Sequence, residues 1–262
     1  LVKTAEDFGS QGEWPSHPGL LDYLAWTFRE NGWNVKALIR EMVLSETYRQ
    51  SSRGTPEEFA ADPENRLLAR GSRFRLDSEV IRDQILATGG LLHQELYGRS
   101  VKPPQPEGLW KAVALPSSFP NAFVADEGKD IYRRSVYTFW KRGLPPPQMT
   151  ILNAPTREYC TARRERTNTP LQALLLMNEP EYFAVARNLA AEVLRQKPEE
   201  RIAYAYETIT SHLPDESERN SLRGLLVDLE EQYRENPGLA GELIGVAEND
   251  RAELAAWTVV LN

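Results

Sequence analysis

Apolar residues recur at three- and four-residue spacings along most of the chain. No stretch alternates apolar with polar over six residues, so the pattern predicts helices and no sheet of consequence. In the first third, Leu20, Leu21, Leu24 and Phe28 follow Ser16-His17-Pro18, and Gly32 supplies a C-terminal stop. Asn34 then caps a helix expected to bury Val35, Leu38, Ile39, Met42 and Val43. Asp77 caps a third, carrying Val80, Ile81, Ile85 and Leu86 and ending at Gly89-Gly90. In the last third, Thr169-Pro170-Leu171-Gln172 is a capping box with proline at the first helical position, ahead of an inner face of Leu171, Leu174 and Leu175. Asn178-Glu179-Pro180-Glu181 launches a longer helix with Phe183, Ala186, Leu189, Ala190, Val193 and Leu194 at helical spacing, and Pro198 opens the next, with Ile202, Ala205, Tyr206 and Ile209 inward. Asp215-x-x-Glu218 and Asp250-x-x-Glu253 cap two more, with stripes running through Leu222 to Tyr233 and through Leu254, Trp257 and Leu261.

The middle breaks this rhythm. Nine of the 18 prolines fall between Pro103 and Pro155. Proline removes a backbone donor and ends helices, so this stretch is expected to be irregular around a single helix from Asp130 to Arg142. The fold class is therefore all-α: a helical bundle with a long proline-rich irregular central segment. It is read as one helical domain over 1–262, divisible into N-terminal helices (1–98), an irregular proline- and arginine-rich segment (99–168) and a C-terminal bundle (169–262).

At 262 residues, 41% apolar and 26% charged, the composition is that of an ordinary globular chain. No run approaches the length of a membrane span, so no membrane insertion is expected. The first ten residues lack an export signal, and the chain starts without Met and stops inside a helical pattern; it is read as an excerpt of a larger protein. Cys160 is the one cysteine, which excludes an internal disulfide and any c-type haem attachment in this stretch. The three histidines, His17, His93 and His212, have no ligand spacing, so neither a metal nor a cofactor is expected, although carboxylates could still bind a hard cation.

Charge changes the picture more. Residues 129–166 carry nine Lys and Arg against three Asp and Glu, a net +6 inside a chain of net −7, which leaves −13 elsewhere. Such a basic island suits a carboxylate, sulfate or phosphate, because the guanidinium fork matches those anions. Arg133, Arg134, Trp140, Arg163, Arg164, Arg166 and Asn168 are the candidate ligand-binding residues. Three of the arginines directly precede the helix start at Thr169, where free N–H groups also favour an anion. The competing reading is structural: with so many acids elsewhere, the arginines pair internally and hold the loops down. Nucleic acid is not expected, given the acidic net charge and the lack of a recognition signature. Cys160 beside the arginines is read as packing before nucleophile, His17 as a capping or core residue, and no carboxylate pair is fixed for acid–base work.

Six ordered blocks carry a family resemblance: H-P-x-L-L-D-x-L-A-x-x-F (His17 to Phe28), G-W-x-x-K-x-L-I-R (Gly32 to Arg40), S-x-T-Y-R-Q-S-S (Ser45 to Ser52), D-P-E-N-R-L-L (Asp62 to Leu68), R-R-S-x-Y-T-F-W-K-R (Arg133 to Arg142) and R-R-E-R-T-N-T-P-L-Q-A-L (Arg163 to Leu174). The sequence resembles the planctomycete-type C-terminal domain of unknown function (PSD1-type). That domain ends large exported proteins, often behind a cytochrome c-like module. Gly19 departs from the pattern, since Glu commonly completes the cap after H-P there. The resemblance implies a periplasmic or cell-envelope setting and upstream domains of the same parent protein as partners. No reaction comes with it. The expectation is a module that binds a partner domain or an anionic ligand, such as a sulfated or uronate glycan, through the arginine-rich site. The alternatives are a hydrolase of acidic or sulfated polysaccharide and a purely architectural helical domain, which leaves turnover open.

Overall fold

The computed structural model describes residues 1–7, 10–114, 116–245 and 251–262. Among these the chain is helical, with no strand and three isolated bridges (His93 with Arg133, Val101 with Thr138, Lys141 with Leu144). The helices are α1 (Pro18–Glu30), α2 (Val35–Leu44), α3 (Glu46–Arg49), α4 (Pro56–Ala61), α5 (Ser78–Thr88), α6 (Leu109–Val113), α7 (Pro147–Ile151), α8 (Pro170–Asn178), α9 (Pro180–Leu194), α10 (Arg201–Thr210), α11 (Glu216–Glu235), α12 (Pro237–Ile244) and α13 (Arg251–Leu261). No helix among the described residues is long and apolar enough to cross a membrane.

The caps follow side-chain chemistry. Asn34 accepts from the Ala37 N–H, and reciprocal capping boxes form at Thr55 with Glu58, Thr169 with Gln172 and Asp215 with Glu218. Each box satisfies two N–H groups that a helix start otherwise leaves to water, and Asn34 satisfies one. Asp77 stands at the start of α5 without a side-chain cap bond, and Glu179, not Asn178, precedes α9. The box at Asp250 lies outside the described residues.

The chain forms two compact units. The smaller comprises Leu1–Arg75 with Tyr159–Arg166, and the larger comprises Leu76–Glu158 with Thr167–Asn262. In the larger, α13 packs against α9, α11 and α12. The core gathers Leu189, Ala190, Val193, Ala205, Leu226, Ala256 and Trp257, with Ala240, Ile244 and Ala255 beside it. Alanines at 0% exposure along α9 and α13 (Ala190, Ala255, Ala256) leave room for close helix contact, and Trp257 fills the remaining gap.

The smaller unit is built otherwise. Its one buried residue among those described is Arg70. The inner stripe expected for α2 is a correction: Val35, Ile39, Met42 and Val43 are all exposed. On α8, Leu171 and Leu174 also face solvent, while Gln172 is the buried residue. Periodicity marks which face is apolar; it does not say that something covers it.

The expected helix from Asp130 to Arg142 is absent as well. Two 3₁₀ turns (Gly128–Tyr132 and Ser135–Tyr137) flank extended backbone at Arg133 and Arg134. The reason is a side-chain donor and a side-chain acceptor on the neighbouring helix. Arg82 of α5 gives N–H groups to the carbonyls of Ile131 (2.7 Å) and Arg133 (3.0 Å), while Asp83 accepts from the Ser135 N–H (2.7 Å). With these backbone groups satisfied from outside, the segment has no need of its own helical ladder.

Candidate functional site

Four of the seven sequence-predicted site residues, Arg133, Arg134, Trp140 and Asn168, belong to the larger unit. Arg133 is buried, at 4% exposure, and lies 3.9 Å over the Tyr137 ring. Its guanidinium donates to the carbonyls of Arg99 (3.1 Å), Glu95 (3.1 Å) and Tyr97. Arg134 pairs with Asp83 at 3.6 Å. Arg157 stacks on Trp140 at 4.4 Å, and the Trp140 indole N–H reaches the Thr156 carbonyl at 3.4 Å. These groups hold loops together, as the competing structural reading has it. Asn168 is exposed.

The helix start at Thr169 is also less open than a bare N-terminus. Thr169 and Gln172 close its capping box, and the Gln172 amide donates to the Ile151 carbonyl (2.9 Å), Asn153 Oδ1 (2.8 Å) and Thr167 Oγ1 (3.1 Å). The T-N-T-P-L-Q block thus works as a plug that ties α8 to α7.

The remaining three, Arg163, Arg164 and Arg166, belong to the smaller unit. Arg166 lies 4.2 Å over the Phe74 ring, and Arg164 is half-buried and engaged. Arg163 differs. It is exposed, has no ion-pair partner among the described residues, and lines a cleft of about 400 Å³ with Lys3, Glu13, Trp14, Glu64 and Arg66.

The cleft is assembled locally. Both the Ser16 N–H (3.0 Å) and its hydroxyl (3.2 Å) donate to the Leu1 carbonyl, which folds the first residues back on themselves. Thr4 Oγ1 accepts from the Glu13 N–H at 2.9 Å. On the other side, Asp62 takes the N–H groups of Arg66 (2.9 Å) and Leu67 (2.8 Å), and these bonds hold its carboxyl below the usual range by stabilising the charged form. Asn65, at φ 52°, exchanges bonds with the backbone of Arg70. Arg70 itself donates to the Asp62 carbonyl at 2.5 Å and covers the Phe59 ring at 4.4 Å. This is what the D-P-E-N-R-L-L block does: it fixes a tight loop from which Arg66 projects.

Across the cleft, Lys3 pairs with Glu64 at 3.0 Å and Arg66 with Glu13 at 3.3 Å. Both pairs are solvent-exposed, the class worth about 0–1 kcal/mol, so neither holds its cation firmly. Three cations against two carboxylates leave one positive charge over. Trp14, 89% exposed, presents its indole to the same space. Lys3, Trp14 and Arg66 were not singled out in the sequence, because α1 to α4 separate the segments that carry them and these share no short-range pattern.

A second hollow in this unit, of about 760 Å³, is an apolar groove lined by Leu20, Tyr23, Leu24, Met42, Tyr48 and Phe74, among others. Its polar features include the Tyr23 hydroxyl, which donates to Glu41 at 2.7 Å and is pushed up in pKa by that bond.

Cys160 is exposed and free, so the packing role expected of it does not hold. His17 precedes α1 without a capping bond and meets Ser16 Oγ at 3.0 Å. In the larger unit, burial pushes Glu179 and Tyr182 upward. The cavity lined by Arg82, Gln148, Glu181 and Tyr182 measures about 20 Å³, room for a water and no substrate.

The profile of the PSD1 family, proteins of unknown function (DUF1553), matches residues 1–226. The chain belongs to this family. The matched span takes in the whole cleft and ends within α11, so all six sequence blocks lie inside the PSD1 region. No curated protein and no solved structure matches the chain.

Proposed function

We propose that this PSD1 chain is a binding module and that the cleft of its smaller unit takes an anionic, ring-bearing ligand of the acidic-glycan class. The carrying observation is an exposed arginine without an acidic partner among the described residues, Arg163, in the same cleft as an 89% exposed tryptophan, Trp14. A planar guanidinium suits a carboxylate or sulfate, and an indole face suits the apolar side of a sugar ring. Lys3 and Arg66, held only by exposed ion pairs, are available as further contacts. An envelope setting, taken from the family resemblance, is part of the same proposal.

The test is isothermal titration of uronate and sulfated oligosaccharides into wild type, Trp14→Ala and Arg163→Ala, with Arg134→Ala as control. The expected result is binding that weakens by about tenfold, roughly 1.4 kcal/mol, in each cleft variant, is unchanged in the control, and falls with added salt. Absence of binding, or equal affinity in all four proteins, overturns the reading.

A second reading rests on the apolar groove: it seats an apolar segment of another domain of the parent protein. Met42→Arg would then abolish association with that domain added in trans and leave oligosaccharide binding unchanged. If the substituted protein retains the association, this reading falls.

A further inference from the structure

The three histidines lack ligand spacing in sequence, yet the fold of the larger unit gathers one of them with two acids. One ring nitrogen of His93 and one carboxylate oxygen each of Glu95 and Asp130 lie within 4.8 Å of one another. We propose that these three side chains form a binding site for a divalent transition cation of the zinc type, apart from the cleft described above.

Backbone geometry places the ligands. His93 sits on extended backbone that forms a parallel bridge with Arg133, and its N–H donates to the Tyr132 carbonyl at 3.0 Å. Residues two apart on extended backbone point to the same side, so His93 and Glu95 share a face, and His93 Nε2 meets Glu95 Oε2 at 3.0 Å. Asp130 comes from the 3₁₀ turn Gly128–Tyr132, which the Arg133 N–H closes onto the Asp130 carbonyl at 3.1 Å. The buried guanidinium of Arg133 then clamps the carbonyls of Glu95, Tyr97 and Arg99, fixing the stretch after His93. The ligand residues are therefore held by backbone bonds that need no metal to form.

The donor set selects the ion. Ligands about 2.0–2.2 Å from a tetrahedral zinc lie roughly 3.3–3.5 Å from each other. The His93–Glu95 pair at 3.0 Å is already near that spacing, and the Asp130 oxygen, within 4.8 Å of both, would have to close the remaining gap on metal binding. One imidazole and two carboxylates without a thiolate favour zinc over magnesium or calcium, which take oxygen ligands. Three protein ligands also leave a coordination position for water or a ligand atom. Two carboxylates match the dication, while the positive charges of Lys129 and Arg133 near Glu95 and of Arg99 near Asp130 temper the affinity. The competing account is a simple His93–Glu95 hydrogen bond with Asp130 as a bystander, and it predicts no metal dependence.

The experiment titrates zinc chloride into the full chain by calorimetry and follows cobalt(II) absorption as a coordination probe. Wild type is expected to bind one zinc per chain and to give the intense visible bands of a four-coordinate cobalt site. His93→Ala, Asp130→Asn and Glu95→Gln are each expected to weaken binding by about tenfold or more, the least that loss of a direct ligand should produce when outer partners already cost that much. Glu95 is 59% exposed at its side chain, so Glu95→Gln keeps the test decisive if His93→Ala fails to fold. His212→Ala, whose imidazole stacks edge-on against Tyr206, is the control and should bind like wild type. Loss of binding in His212→Ala alone, undiminished binding in the three ligand variants, absence of binding, or magnesium bound as tightly as zinc each overturns the proposal.

Discussion

Arg82 is buried at 4% exposure and holds Glu181 through two hydrogen bonds, one of 2.8 and one of 2.5 Å. Its remaining N–H groups reach the Ile131 and Arg133 carbonyls and Ser135 Oγ. Removing one partner of a buried pair strands the other charge, so Arg82→Met should destabilise the chain by about 3–5 kcal/mol, read as a lower urea midpoint. A loss below about 1 kcal/mol would show that the pair is solvated in practice. The double variant Arg82→Met/Glu181→Leu should recover only part of the loss, because the two carbonyls and the hydroxyl still lack their donor. At this scale the sequence displayed charge but not its use. The arginine-rich stretch was legible as a basic island; that Arg133 serves three carbonyls, and Arg163 none among the described residues, was not. One physical cue existed. Nine prolines between Pro103 and Pro155 remove donors while keeping acceptors, so a segment of that kind has carbonyls to be met from outside it, as Arg82 meets those of Ile131 and Arg133.

Helix starts were the most legible elements, because a cap is a local interaction of three or four residues. Asn34, Thr169 with Gln172, and Asp215 with Glu218 all bond as their spacing predicts, and the unread box at Thr55-Pro56-Glu57-Glu58 obeys the same rule. The stretch 130–142 was misread because its conformation is decided by Arg82 and Asp83, about 50 residues away, and not by its own propensity. Local logic also makes a paired prediction for α1. Gly19 lies in its first turn, where an added Cβ meets nothing within 4 Å. Gly19→Ala should therefore stabilise by about 0.5–1 kcal/mol through a less flexible unfolded chain. Gly32, just past the end of the same helix, adopts φ 65°. There Gly32→Ala should cost about 1–2 kcal/mol, since a Cβ is strained in the left-handed region. Thermal melts of the two variants shifting in opposite directions would confirm that the helix is terminated as described; shifts of one sign would refute it.

The two units differ in how they are held. The larger carries a continuous apolar core around α9, α11 and α13 and a net charge of −8; the smaller has 13 Lys and Arg against 12 Asp and Glu, a net +1, and buries no apolar residue among those described. Residues 159–166 cluster with the first 75, a return past residues 76–158 that no local pattern encodes. Local opening costs least where few apolar groups are buried, so hydrogen exchange should divide along the same line. Amides of α1 and α2 are expected to exchange by local opening, far faster than those of α9, α11 and α13, which should approach the global unfolding limit. The same measurement separates the two readings of the smaller unit. An acidic oligosaccharide in the cleft should slow exchange chiefly in residues 1–16 and 62–70, whose backbone bonds carry Lys3, Trp14 and Arg66. An apolar partner segment in the groove should slow α1 and α2 instead, since these supply Leu20, Tyr23, Leu24 and Met42. Uniformly strong protection of α1 and α2 in the free chain would contradict the burial pattern from which both expectations are drawn.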